Sequence, residues 1–347
     1  MRTLRRYAYA VFGVACLHLI FGAIVRISGS GMGCGDNWPK CYGHWFPPMN
    51  RPDLIIEVTH RYLASILLLS LIGLLVAAWN RRDDPEVGGR GGVLRAAGLA
   101  VALGFGAAIL GAVTVKLGNA PLATVAHWTV AMSLVATVAA TVIRAGGLGG
   151  ESARLGGTVP SVARSAFGAA GLALVVVVMG GLTAKVPGGA VACLDFPLCG
   201  ANPRVDPSAV HVQLTHRVIA VLLILHLLGM LIAQRRKLVA AVVKRALIIA
   251  FSLGILQLLV AGAMIGMRLP PVLRSLHEAT GVSIWIATFV LAYLARIASG
   301  GAAVGARLRE PLSPLVEAEE ANPALVRKRA PRMSHSVAVI VARGADV

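Results

Sequence analysis

The apolar positions of this chain fall into long unbroken runs, not into periodic stripes. Eight runs lie at about 7–25, 60–79, 94–115, 121–143, 165–184, 212–233, 246–267 and 275–297. Each is close to the ~20 residues that a membrane-spanning helix needs. Short polar or Gly-rich connections separate them. The pattern predicts an all-α integral membrane protein with eight transmembrane helices. The first run follows "MRTLRR", a start that would also suit a secretory leader. No small-x-small cleavage site follows it, and it has a counterpart later in the chain, so it is read as a span.

The pattern also repeats. "FGAIVRISGSGMGCGDNWPKC" (Phe21 to Cys41) parallels "MGGLTAKVPGGAVACLDFPLC" (Met179 to Cys199). "EVTHR" parallels "QLTHR", and "LATVAHWTVAMS" parallels "VLRSLHEATGVS". Cys193 lies 159 residues after Cys34, His216 lies 156 after His60, and His277 lies 150 after His127. The drift is what loop-length changes between duplicated units produce. The expected architecture is two pseudo-symmetric four-helix bundles in parallel orientation. Residues 1–150 form the N-terminal half and 160–298 the C-terminal half. Residues 299–347, rich in Arg, Ala, Pro and Glu, are expected to form a disordered cytoplasmic tail.

Composition sharpens this reading. The chain of 347 residues is 57% hydrophobic and 14% charged, with a mean hydropathy of +0.76. Soluble domains are about 45–50% apolar and about 25% charged. The net charge of +18 raises nucleic acid as a partner. The basic residues are scattered in short connections and at the C-terminal end, without interleaved aromatics, so nucleic acid is set aside. They act as orientation signals. With the N-terminus inside, 23 of the 33 Lys and Arg fall on the cytoplasmic side and 10 outside; without the C-terminal stretch the bias is 15 to 10. This predicts a multi-pass protein of the cell membrane, surrounded by lipid, with both termini cytoplasmic.

Four of the nine histidines obey the repeat: His60, His127, His216 and His277. Each is expected in the first turn or two of a helix running from outside to inside, so all four share one depth in the outer half of the membrane. Imidazoles from facing helices of a bundle are suited to the two axial positions of a haem iron. A lone histidine at such a place is usually a packing residue. Zinc is the main metal competitor, but two histidines per half without a third protein ligand make a poor zinc site. The other five histidines have weaker claims. His18 faces an aliphatic counterpart near Val176, and His226 points to another face than His216. His44, His211 and His335 fall in loops or the tail, with His211 a minor alternative to His216.

Glu57 precedes His60 by three residues and so shares its helix face. The plain reading is an interfacial carboxylate that stays solvated or caps the helix. Its counterpart, however, is Gln213, similar in shape but uncharged. A carboxylate near a porphyrin edge can move protons or stabilise developing positive charge. The first half is therefore the candidate for chemistry and the second for electron transfer. The pairs Cys34/Cys41 and Cys193/Cys199 face the oxidising side, where disulfides persist. They are read either as structural disulfides or as thiol pairs that exchange with an outside reductant. Cys16, in the first run, is read as packing.

At "EVTHR", "AHWT", "LTHR" and "LHEATG" the chain resembles the haem A synthase family over about residues 7–297. The resemblance implies oxidation of the C8 methyl of haem O to a formyl group, giving haem A for terminal oxidase, with molecular oxygen as oxidant. It implies that His60 and His127 hold the substrate haem, with Glu57 as the catalytic carboxylate. It further implies that His216 and His277 ligate a resident haem b. Cys34 and Cys41 match the outer-loop pair thought to matter in the reaction, and Cys193 and Cys199 match a second pair of less clear role. Haem O synthase, the preceding enzyme, is a candidate partner, and the electron donor is open. The alternative function is a di-haem b-type cytochrome that carries electrons without modifying haem. A duplicated transporter is a third class, but the Gly and Pro residues cluster at helix ends and not at mid-depth.

Overall fold

The computed structural model of the protein describes residues 1–300. The expected tail lies outside the described residues from residue 301 on. The described residues form ten α-helices and no strand. Eight are long: α1 (Arg2–Ile27), α2 (Pro52–Trp79), α4 (Val93–Lys116), α5 (Pro121–Arg144), α7 (Pro160–Lys185), α8 (Pro207–Ala233), α9 (Ala241–Gly266) and α10 (Pro271–Ala298). Two short ones, α3 (Pro85–Gly88) and α6 (Gly150–Leu155), sit in connections. At 24–28 residues the long helices reach about 36–42 Å, enough to cross a ~30 Å hydrocarbon layer with a turn to spare. All eight are apolar enough to span. The chain is therefore a multi-pass membrane protein of all-helical fold.

Several starts are set by proline. Helices α2, α5, α7, α8 and α10 carry Pro in their first turn. Proline there loses no hydrogen bond and pre-sets the helical φ. Asp206 also caps α8, accepting from the Ser208 backbone N–H at 2.8 Å. Because of these signals α2 starts at Pro52 and α8 at Pro207, ahead of the apolar runs. His60 and His216 thus sit in the third turn of their helices, one turn deeper along the helix than the apolar pattern indicated. His127 and His277 sit in the second turn, as expected. Hydropathy registers only the lipid-facing part of a helix, so an amphipathic leading turn escapes it.

Two helices are central. About half of the apolar window of α5 (56%) and α10 (50%) is buried, against 17–28% for the other six. The six outer helices present large apolar side chains such as Leu69, Ile109 and Leu259, as a lipid-facing surface must. The buried Trp285 of α10 donates its indole N–H to the Met132 carbonyl of α5 at 2.9 Å. A single apolar core containing Leu71, Met132, Leu227, Leu247 and Leu291 runs through both halves. An ion pair between Arg26 of α1 and Glu278 of α10 adds a polar link across the halves. The two halves are thus joined by their inner helices.

Candidate functional site

The loop after α1 and the loop after α7 are built alike. Each has a single 3-10 turn, Ser30–Met32 or Gly189–Val191, and then a disulfide. Cys34 is bonded to Cys41 and Cys193 to Cys199. Both cysteine pairs singled out in the sequence therefore close. Cys16 is free and half-buried in α1, consistent with packing.

Each loop rests on the helix that follows it. Glu57, only 4% exposed, accepts the backbone N–H of Cys34 at 2.9 Å. Gln213, 8% exposed, accepts the backbone N–H of Cys193 through its amide oxygen at 2.6 Å. The two side chains do the same structural task, and only one is charged. One turn on, Arg61 pairs with the other carboxylate oxygen of Glu57. It also donates to the carbonyls of Pro39 (2.9 Å) and Lys40 (3.3 Å) inside the first disulfide loop. Arg217 donates to the carbonyls of Asp195 (2.6 Å) and Leu198 (2.7 Å) inside the second. Both oxygens of Glu57 are thus engaged, one by a loop amide and one by a guanidinium. Glu57 is neither solvated nor a helix cap. The arginine of each Thr-His-Arg motif is a loop clamp, a role its place one turn after Glu57 or Gln213 signals only in part.

The four repeated histidines are half-buried and face inward. Glycines make room for three of them. A Cβ on Gly22 would lie 3.3 Å from His60 Cε1, one on Gly111 would lie 3.3 Å from His127 Cε1, and one on Gly180 would lie 3.1 Å from His216 Cε1. His127 Nδ1 is 2.9 Å from the Ala107 carbonyl, and His216 Nδ1 is 3.0 Å from the Val176 carbonyl. A metal-binding imidazole is commonly fixed in this way through its second nitrogen, which leaves Nε2 for the metal.

In the second half the rings of His216 and His277 are 6.5 Å apart, centre to centre, at 71°. An iron held between two imidazoles, with metal–nitrogen bonds of about 2.0–2.1 Å, needs a ring separation of roughly 6–6.5 Å. That centre-to-centre spacing suits two imidazoles that would share one iron. His277 is flanked by Gln257, whose amide nitrogen lies 2.9 Å from the His277 carbonyl and 3.3 Å from its Nε2. Thr280 donates to the Gln257 carbonyl oxygen and fixes that amide. Among the described residues no three His, Cys, Asp or Glu side chains form a metal cluster.

In the first half His60 and His127 are accompanied by His18 of α1. The His18 and His60 rings are stacked at 4.3 Å and 8°. His127 lies within electrostatic range of both. His18 has a weak claim in the sequence because its counterpart, Val176, is aliphatic; the structure places it against His60. The remaining histidines lie elsewhere. His226 Nε2 meets the Ser165 carbonyl at 2.9 Å, His211 Nδ1 meets the Pro207 carbonyl at 2.7 Å, and His44 pairs by backbone with Cys41. His335 lies outside the described residues.

Residues 5–289 match the COX15-CtaA family, described as cytochrome oxidase assembly protein. A protein of Shouchella clausii named heme A synthase is 31% identical over 247 residues, covering 69% of this chain and 78% of that protein. One of the same name from Alkalihalophilus pseudofirmus is 31% identical over 228 residues, covering 62% of this chain and 70% of its own. A Thermus thermophilus protein named protoheme IX farnesyltransferase is 39% identical over 80 residues, covering 23% of this chain and 13% of that protein.

Proposed function

The chain belongs to the COX15-CtaA family of cytochrome oxidase assembly proteins, and from that premise we propose how its two halves divide the work. It is a membrane oxidoreductase that makes haem A from haem O. In our reading the reaction takes place in the N-terminal half, residues 1–150. His60 and His127 hold the substrate haem there, and Glu57 is the catalytic carboxylate. The C-terminal half, residues 160–298, is the electron-transfer half.

The observation that carries this division is the substitution of one buried group in matched frames. Glu57 and Gln213 accept the same loop amide, from Cys34 and Cys193, yet only Glu57 carries charge. A relay would not need the difference. Oxidising a methyl to a formyl group removes hydrogen from carbon, so a nearby group must take or steer protons. A carboxylate held in place by an amide and a guanidinium suits that task. His216 and His277 would hold a haem b, which when bound supplies electrons one at a time. Their own contribution is to fix its orientation: the Val176 carbonyl holds the His216 ring, and Gln257 braces His277.

The Lys and Arg bias supports a cell-membrane location with both termini in the cytoplasm. The cysteine loops then lie outside, where their disulfides persist. Each disulfide loop donates an amide to the side chain beneath it, which supports at least a structural role for Cys34/Cys41 and Cys193/Cys199. Molecular oxygen is the proposed oxidant. Haem O synthase is the proposed supplier of substrate; the segment shared with the protein named protoheme IX farnesyltransferase supports that link.

The test is direct. The full chain is expressed with a source of haem O, and extracted haems are separated by chromatography. Haem A or a hydroxylated precursor is expected. Normal binding of haem b with neither product would overturn the reading in favour of an electron-carrying cytochrome.

A further inference from the structure

The two halves differ at a second place, and it lies beside the proposed substrate ligands. Gly22 and Gly180 are equivalent, each facing the histidine of a Thr-His-Arg motif. Four residues before them stand His18 and Val176. In the second half the Val176 carbonyl fixes His216 through Nδ1 at 3.0 Å. In the first half the corresponding bond is missing: among the described residues, Nδ1 of His60 and Nδ1 of His18 are both buried without a partner. His60 instead lies flat on the His18 ring at 4.3 Å. Among the four repeated histidines, His127 and His216 are tied to carbonyls and His277 has Gln257 at its Nε2. Among the described residues, His60 alone of the four has no hydrogen bond at either ring nitrogen; His277 Nδ1 is also without a partner, but its Nε2 meets Gln257.

That contrast bears on coordination. An iron with two imidazole ligands has no position for a diatomic molecule. One ligand must leave, and the ligand without an orienting hydrogen bond is the one that leaves most easily. A displaced imidazole in an apolar helix interior needs somewhere to rest. A parallel ring at stacking distance provides that place.

We propose that His60 is the exchangeable axial ligand of the substrate haem, and that His18 is its positioning residue, holding the ring when it is off the iron. The bond from His60 to iron breaks and a small diatomic ligand takes the position. His127, tied to Ala107, remains in place on the other face. This rests on the reading that His60 and His127 hold the substrate haem.

The full-length protein, loaded with haem O and reduced, is titrated with carbon monoxide and followed by absorption. The wild type should bind carbon monoxide at the substrate haem and leave the haem held by His216 and His277 in its low-spin form. His18→Val installs the residue of the second half and should weaken carbon monoxide binding about tenfold, because the open state becomes less populated. His18→Phe keeps a flat ring and should restore most of the affinity. Equal binding by His18→Val and wild type would overturn the proposal, as would a wild-type substrate haem that takes no carbon monoxide. A further measurement does not depend on His18 variants folding. The C–O stretch of the wild-type adduct should match that of His60→Ala and differ from that of His127→Ala; the opposite match overturns the proposal. Haem A formation by the wild type is assayed in parallel. If haem A forms and the carbon monoxide results fail, only this inference falls. If no haem A forms, the reading beneath it falls too.

Discussion

Glu57 accepts the backbone N–H of Cys34 at 2.9 Å, so the carboxylate proposed for catalysis is also a support of the outer disulfide loop. Gln213 supports the second loop through the same contact from Cys193. The loop-amide contact of position 57 is therefore separable from its charge, because Gln213 makes it without one.

Glu57→Gln follows from that. The amide oxygen can still accept from Cys34, as Gln213 does from Cys193. Haem content should be retained, while thermal stability should fall by about 1–3 kcal/mol, because Arg61 loses its charged partner. Product formation should fall by about 10²-fold or more, the usual scale for losing a positioned acid–base group. Chromatography of extracted haems and a melting curve in detergent measure the two effects. Unchanged turnover would remove Glu57 from the chemistry.

The two clamps predict an order. Arg61→Ala strands a buried carboxylate and frees the Pro39 and Lys40 carbonyls. Arg217→Ala frees carbonyls only, since Gln213 carries no charge. The first should cost about 2–4 kcal/mol and the second about 1–2 kcal/mol. Equal melting temperatures for the two variants would mean that Arg61 contributes no more than a loop contact.

The gap beside His216 depends on having no side chain at Gly180. A Cβ there would come within 3.1 Å of His216 Cε1, closer than ordinary contact. Gly180→Val should displace the ring, cost about 1–3 kcal/mol and abolish the low-spin haem b spectrum. Gly13→Val, at a helix position open on all sides, is the control and should leave the spectrum intact. A normal spectrum in Gly180→Val would place the resident haem elsewhere.

Arg26 and Glu278 form a largely buried ion pair between α1 and α10. Removing one charge leaves the other without compensation, which typically costs about 3–5 kcal/mol when a pair is buried. Arg26→Ala should therefore destabilise the whole protein in a thermal melt. Arg26→Ala combined with Glu278→Gln should recover part of the loss. With Glu278→Gln measured alone as well, a double variant that loses the sum of the two single losses would show that the pair has no net coupling.

The spans, the duplication and the ligand candidates were legible in one dimension. A lipid-facing helix must be apolar along its whole length, so eight runs mark eight helices. A metal-competent side chain in such a run stands out against the pattern, which is why His60, His127, His216 and His277 could be named without coordinates. Glu57 against Gln213 was legible for the same reason. Other relationships depend on how helices rotate and cross, and no local pattern encodes that. Hydropathy did not show that α2 and α8 begin at proline ahead of their apolar runs, because their leading turns are polar. The stacking of His18 on His60, the pairing of Arg26 with Glu278 and the bracing of His277 by Gln257 each join side chains from different helices. The tertiary packing brings them together, and it alone distinguishes a histidine anchored to a carbonyl from one stacked on a second ring.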